Sequence, residues 1–158
     1  MNPRADAPRG DQLQTEAYFA PMPYEVDFTG FLSNTVAPRW LERLRMQLIT
    51  DHFGDVGLFG RQQLSVIARS EIDYLRPIRM GMRLHGRAWI DRCMRASWKI
   101  RFTFRDASAN VLCMRSMQVG AFIDPETFNP ARMPPAIMTR VASTNQQPGD
   151  QDAARNIP

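Results

Sequence analysis

Three runs of alternating apolar and polar residues follow one another closely in the second half of the chain. They are RLHGRAWID (83–91), SWKIRFTFRD (97–106) and VLCMRSMQVGAFID (111–124). In the middle run Trp98, Ile100, Phe102 and Phe104 face one way, and Lys99, Arg101, Thr103 and Arg105 the other. This period of two marks strands with one buried and one wet face. The connections are only a few residues long, DASAN (106–110) among them. Parallel neighbours need a crossover of about a dozen residues or more, so these strands must pair antiparallel. A fourth run, LSVIARSEIDYL (64–75), precedes them and ends in the turn signal RPIRMG (76–81).

Ahead of the strands, SNTVAPRWLERLRMQLITDHFG (33–54) has helical periodicity. Ala37, Leu41, Leu44 and Leu48 form an apolar stripe widened by Trp40, Ile49 and Phe53, while Arg39, Glu42, Arg43 and Gln47 lie elsewhere. Ser33 or Asn34 can cap the start, Pro38 suits the first turn, and Gly54 can end the helix. A short strand is expected within YFAPMPYEVDF (18–28), after Pro23. The order strand, helix, four strands predicts an α+β fold: one long helix across a curved antiparallel sheet of about five strands. A single layer of this kind leaves sheet edges and an outer face open, and a homodimer or homotetramer is one way to cover them.

The domain is expected over residues 18–138. Residues 1–17 and 139–158, polar and rich in Pro, Gly or charge, read as flexible tails. The 158 residues suffice for one core without disulfides. No apolar run is long enough to cross a bilayer, and no apolar signal core precedes the domain. Cys93 and Cys113 show no CxxC spacing and no clustered histidines, so no metal is expected, and the pair reads as reduced packing residues of a cytoplasmic protein. The net charge of +4 rests on 19 arginines and one lysine spread along the chain among acidic residues. That spread argues against a nucleic-acid interface, whereas guanidinium groups match phosphate oxygens well. His52 and His85 have no acid or serine partner at a recognisable spacing and read as structural.

The stretch YEVDFTGFLSNTVAPRWLER (24–43) places an aspartate and a glycine just ahead of the helix. With two later blocks it resembles the 4-hydroxybenzoyl-CoA thioesterase family, whose members have the hot-dog fold. That family's first segment reads D-x-D-x-x-G-H-x-N-N. Its second acid falls on Asp27, its glycine on Gly30 and its second asparagine on Asn34. A later aromatic and E-x-x-R fall on Trp40, Glu42 and Arg45. IDYLRPIRMG (72–81) and VGAFIDPETFNPARMP (119–134) are similar to two further family blocks. The departures are Glu25 for the first acid, Phe31 for the histidine, Ser33 for the first asparagine, Ala37 for an early aromatic and Met82 after the second block's glycine.

The resemblance implies an acyl-CoA thioesterase that needs no cofactor. Asp27 would be nucleophile or general base, supported by a loop containing Gly30 and Phe31. Backbone N–H groups near the helix start, at Asn34 and Thr35, would polarise the thioester carbonyl. Arg76, Arg79 and Arg83 are candidates for the coenzyme A phosphates, as are Lys99 and Arg101. On the residues alone, Asp27 also fits a turn, Glu42 and Arg45 a helix-surface pair, and Asp73 a solvated strand position. Two other readings stay open: a thioesterase acting on acyl carrier protein thioesters, and a non-catalytic acyl-binding subunit. The partners expected are an acyl-CoA and further copies of the chain, with neither nucleic acid nor membrane.

Overall fold

A computed structural model of the chain describes residues 6–10, 12–54 and 63–144. Strand β1 (Gln14–Phe19) leads to helix α1 (Ala37–Phe53), then to β2 (Leu64–Tyr74), β3 (Leu84–Cys93), β4 (Ser97–Asp106) and β5 (Leu112–Ile123). A second helix, α2 (Pro135–Thr144), follows. The strands form one antiparallel sheet in the order β1-β3-β4-β5-β2. Helix α1 connects the two edge strands and lies across one face. This is the hot-dog arrangement expected from the sequence, with strands and turns of the second half close to where alternation put them.

Three local expectations change. The first strand is not in 18–28 but begins at Gln14, inside the stretch expected to be a tail. Pro21 and Pro23 have no N–H for a ladder, so pairing with β3 stops at Phe19, and Pro23–Glu25 forms a single 3-10 turn. The tail expectation fails further upstream as well, since Asp6 reaches the Arg115 guanidinium at 3.4 Å on the outer face of β5. At the other end, residues 139–144 continue α2, which starts at Pro135 and buries Ile137. The remaining residues of that expected tail lie outside the described residues.

The core fills the space between α1 and the inner face of the sheet. Ala37, Leu41, Leu44 and Leu48 are fully buried, as are Leu84, Phe104 and Met114 facing them. Phe19, Trp40 and Phe104 form a ring cluster with centroids 5.1–5.7 Å apart. Gly86 of β3 lets these groups close up: a Cβ there would meet Phe19 at 2.7 Å and both Leu44 and Phe104 at 3.0 Å. Gly120 does the same for Trp98, whose ring lies where a Cβ would stand. The Trp98 indole donates to the Ser65 hydroxyl at 2.9 Å. Helix α1 ends at Gly54, whose φ of +57° and N–H to the Thr50 carbonyl match the expected glycine stop.

Strand β2 is different from the others. It pairs only with β5, and along its eleven residues none is fully buried. Leu64, Ile67 and Tyr74 are between 42% and 52% exposed, an unusual amount of apolar surface for an edge strand.

Candidate active site

The segment between the 3-10 turn and α1 folds as a small hairpin. Val26 and Leu32 pair across it, the Asp27 N–H donates to the Phe31 carbonyl (2.9 Å), and the Gly30 N–H donates to the Asp27 carbonyl (3.0 Å). Gly30 closes the turn at φ +79°, in the left-handed region where a side chain costs roughly 1 kcal/mol or more. The hairpin is stitched to the turn after β2, because Phe31 bridges to Arg79 and the Leu32 N–H donates to the Ile78 carbonyl at 2.8 Å. On its other side the Ser33 N–H donates to the Glu25 carbonyl at 2.8 Å. The Glu25 carboxylate accepts from the Trp40 indole at 3.2 Å, which ties the hairpin to the first turn of α1. Glu25, read as a departure from the family pattern, therefore has a structural task.

At the hairpin tip Asp27 is exposed and makes an Asx turn. Its Oδ1 accepts from the Thr29 N–H at 2.8 Å and from the Thr29 hydroxyl. Both bonds favour the charged form, the hydroxyl most, and hold the carboxyl below its ordinary value. The Phe31 N–H adds a smaller effect in the same direction, and the exposed carboxylate remains open to solvent. The turn expected from the residues is therefore present, with Oδ1 shaping the loop.

Helix α1 begins later than expected. Ser33 does not cap it; Ser33–Val36 make a separate turn closed by the Val36 N–H on the Ser33 carbonyl at 3.0 Å, and Val36 takes the cap position without a side-chain bond. Within that turn the Thr35 N–H is directed to the Ser33 hydroxyl at 3.3 Å. The Asn34 N–H has no acceptor among the described residues. Of the two backbone donors expected to polarise a carbonyl, Asn34 is the one left open and Thr35 is occupied by a weak bond.

Asp27, Phe31 and Asn34 line one side of an open groove of about 550 Å³. Tyr74, Arg76 and Ile78 line the other, with Phe28, Thr29, Leu32, Leu75 and Pro77 around them. The walls are mostly apolar, with one exposed carboxylate, one open N–H and one guanidinium, a composition suited to a ligand with an apolar arm and an anionic end. Phe28 at the rim is fully exposed. Among the arginines named from the sequence, only Arg76 lines the groove. Arg79 stacks over the Phe31 ring at 5.2 Å, and Arg83 stacks over Tyr18 at 3.8 Å. Lys99 and Arg101 pair with Asp91 at 3.7 and 3.0 Å on the outer face.

The remaining residues singled out from the sequence lie in structural contacts. Asp73 holds Arg115 at 2.8 Å, His52 meets the Gln14 carbonyl at 2.8 Å, and His85 meets Glu16 at 3.1 Å. Glu42 and Arg45 are more than a surface pair. They stand 3.9 Å apart, while the largely buried Arg45 donates to Gln118 of β5 at 2.6 Å. Thr29 and Tyr74 are the groove residues with polar side chains to which the sequence pattern assigns no role. Thr29 was signalled by the D-x-T-G spacing of an Asx turn, and Tyr74 by its place in IDYLRP.

A family model described as the thioesterase-like superfamily matches residues 21–141, the hairpin, α1 and the whole of β2–β5 included. The chain belongs to the thioesterase-like superfamily. Solved structures share the fold. A predicted thioesterase from Bacillus stearothermophilus is 24% identical, with a TM-score of 0.71 over 86% of this chain and 99% of that one. A 1,4-dihydroxy-2-naphthoyl-CoA thioesterase from Synechocystis is 13% identical, with a TM-score of 0.72 over 85% and 99%. A DHNA-CoA thioesterase from Staphylococcus aureus is 14% identical, with a TM-score of 0.73 over 84% and 91%. Among curated proteins no sequence matches significantly. Thioester hydrolysis is the chemistry of this superfamily, and the chain is a thioester hydrolase by that membership. No helix among the described residues is long and apolar enough to cross a membrane, and no cluster of three or more His, Cys, Asp or Glu there could hold a metal.

Because the Thr29 bonds lower the Asp27 pKa, the carboxylate is charged throughout the neutral and mildly acidic range. A thioesterase relying on that charge should keep its kcat/KM level from pH 8 down to about pH 5, above the ordinary carboxylate range. Thr29→Val removes the hydroxyl donor and should move the acid limb upward. Rate profiles of the two proteins between pH 3.5 and 8 check this, and superimposable acid limbs would mean the Thr29 hydroxyl does not act on the reacting group.

Proposed function

We propose that the chain hydrolyses acyl-CoA thioesters at the groove beside the hairpin, as a member of the 4-hydroxybenzoyl-CoA thioesterase branch. The observation that carries this is the pairing of a charged, exposed aspartate with an open backbone N–H seven residues later, both lining one groove. The thioester carbonyl oxygen would accept from the Asn34 N–H, which stabilises the negative charge as the carbon becomes tetrahedral. Asp27 Oδ2 would take a proton from a water attacking that carbon, or attack it directly and be released by water afterwards. In either route the carbon–oxygen bond forms, the carbon–sulfur bond breaks, and coenzyme A leaves as a thiolate that regains a proton. Carboxylic acid and free thiol are the products. A thiolate leaves far more readily than an amine, so the absence of a histidine at position 31 does not block the reaction.

Arg76 is the cation best placed for a phosphate of coenzyme A, and the apolar wall of Leu32, Leu75 and Ile78 suits an acyl or pantetheine arm. The fully exposed Phe28 and the open β2 edge favour a second copy packed against this side, so that the site is completed between the loop of one subunit and the sheet of its partner. A cytoplasmic setting fits the two free cysteines. Burial pushes the Cys93 thiol up to about 11, so it stays an unreactive thiol.

Thiol release from a panel of short, long and aromatic acyl-CoAs, each compared with the same acyl group on an acyl carrier protein, tests the reading. Faster release from the CoA form is the expected result. Faster release from the carrier form would transfer the activity to carrier-protein thioesters, and binding without release across the panel would leave an acyl-binding subunit.

A further inference from the structure

Tyr74 stands at the end of β2 and reaches back across the groove. Its hydroxyl donates to the Asn34 carbonyl at 3.1 Å, while its ring, half exposed, forms part of the groove wall. No other bond joins β2 to the turn ahead of α1 among the described residues. Asn34 has a peptide unit on each side. The unit before it is fixed by the Val36 N–H on the Ser33 carbonyl, and the unit after it by the Tyr74 hydroxyl. The Asn34 N–H lies in the first unit; the Tyr74 bond holds the second, and because the two units meet at the Asn34 Cα it limits how far the first can turn.

Between the Ser33 N–H on the Glu25 carbonyl and the first turn of α1, the side chains of that turn add little to hold it. Helix α1 starts only at Ala37 with no side-chain cap, and the Ser33 hydroxyl makes long or shared bonds within the turn itself. An unanchored peptide in an exposed loop can rotate, and a donor that rotates must be reordered as the oxyanion develops. Partial burial also raises the Tyr74 pKa, so the phenol stays protonated and donating at any pH where the enzyme works.

We propose that Tyr74 is a positioning residue for thioester hydrolysis: by holding the Asn34 carbonyl it steadies the Asn34 backbone, and through the shared Cα the N–H on the preceding peptide unit that meets the thioester oxygen. This rests on the reading of the groove as the hydrolytic site. Tyr74 acts through the Asn34 backbone and takes no proton from the substrate. Its role differs from that of a groove wall, which would affect binding of ground and transition states alike.

Tyr74→Phe keeps the ring and removes only the hydroxyl, so the fold is retained and a thermal melt verifies it. With the acyl-CoA that the wild type hydrolyses fastest, kcat should fall about fivefold or more while KM changes little, since the loss of one positioning bond is felt in the transition state. The second readout uses 15N-labelled protein and acetonyl-dethia-CoA, a ketone in which a methylene replaces the thioester sulfur. In the wild type the Asn34 amide proton should move downfield on binding as it donates to the ketone oxygen, and in Tyr74→Phe this movement should be clearly smaller. An unchanged kcat, or a raised KM with the Asn34 shift intact, would reduce Tyr74 to a wall of the groove. If the wild type releases thiol from no acyl-CoA, the functional reading fails on its own. The Asn34 shift then still decides whether Tyr74 orients that peptide.

Discussion

Asp27→Asn is expected to lower thiol release from the best acyl-CoA by about two to four orders of magnitude, the usual contribution of a positioned base or nucleophile. The substitution isolates the charge. An asparagine Oδ1 can still accept from the Thr29 N–H and hydroxyl, so the Asx turn and the hairpin persist. Asp27 is solvent-exposed and makes no side-chain contact with the core, and the melting temperature should stay within a degree or two of wild type. Asp27→Ala removes both the charge and the turn acceptor. If the two variants lose activity equally, the charged carboxylate carries the chemistry; if only the alanine variant loses it, Asp27 merely shapes the loop. Near-normal turnover of the asparagine variant would sink the proposed mechanism. Steady-state thiol release with a folding check on each variant is the measurement.

How much of this was legible beforehand follows from where each signal comes from. The sheet was readable from 83–124 because period-two alternation and short turns are local properties, and β3, β4 and β5 lie where those runs predict. The long helix was readable from its stripe and its glycine stop. The start of that helix was not, because Ser33 had two competing uses: it could cap α1 or close its own turn with Val36, and tertiary tethering by Glu25 and Ile78 selected the turn. The N-terminal strand was missed for a similar reason. QTEAYF has only a weak alternation, and its strand conformation comes from an edge of β3 that forms far along the chain. Asp27 could be named only through the resemblance of its segment to the family pattern, since on the residues alone it also fits a turn. Tyr74's reach to a carbonyl forty residues away could not be named at all, since it has no sequence period.

The largest effect on stability should come from Phe104→Ala. Phe104 is fully buried, lies 5.2 Å from Phe19 and 5.7 Å from Trp40 between ring centroids, and crowds Gly86 of the neighbouring strand. Truncating a phenylalanine in such a site costs about 3–5 kcal/mol, because the lost burial is joined by a cavity that packed neighbours fill only in part. In a chain of this size that corresponds to a fall of roughly 10 °C in melting temperature. Gly86→Ala alone should also destabilise, by about 1–3 kcal/mol, as its Cβ presses on Phe19, Leu44 and Phe104. In the double variant the added methyl meets one fewer ring and occupies part of the cavity. The combined loss should therefore be smaller than the sum of the single losses by about 1 kcal/mol. Urea unfolding midpoints for the four proteins measure this coupling, and strict additivity would show that Gly86 and Phe104 do not share one packed space. The same cluster bears on function through Trp40, which packs on Phe104 and donates to Glu25, whose carbonyl holds the Ser33 N–H. Phe104→Ala should therefore reduce kcat at temperatures well below its melting point, whereas Ile137→Ala on α2, also destabilising but away from this cluster, should leave kcat of the folded protein unchanged.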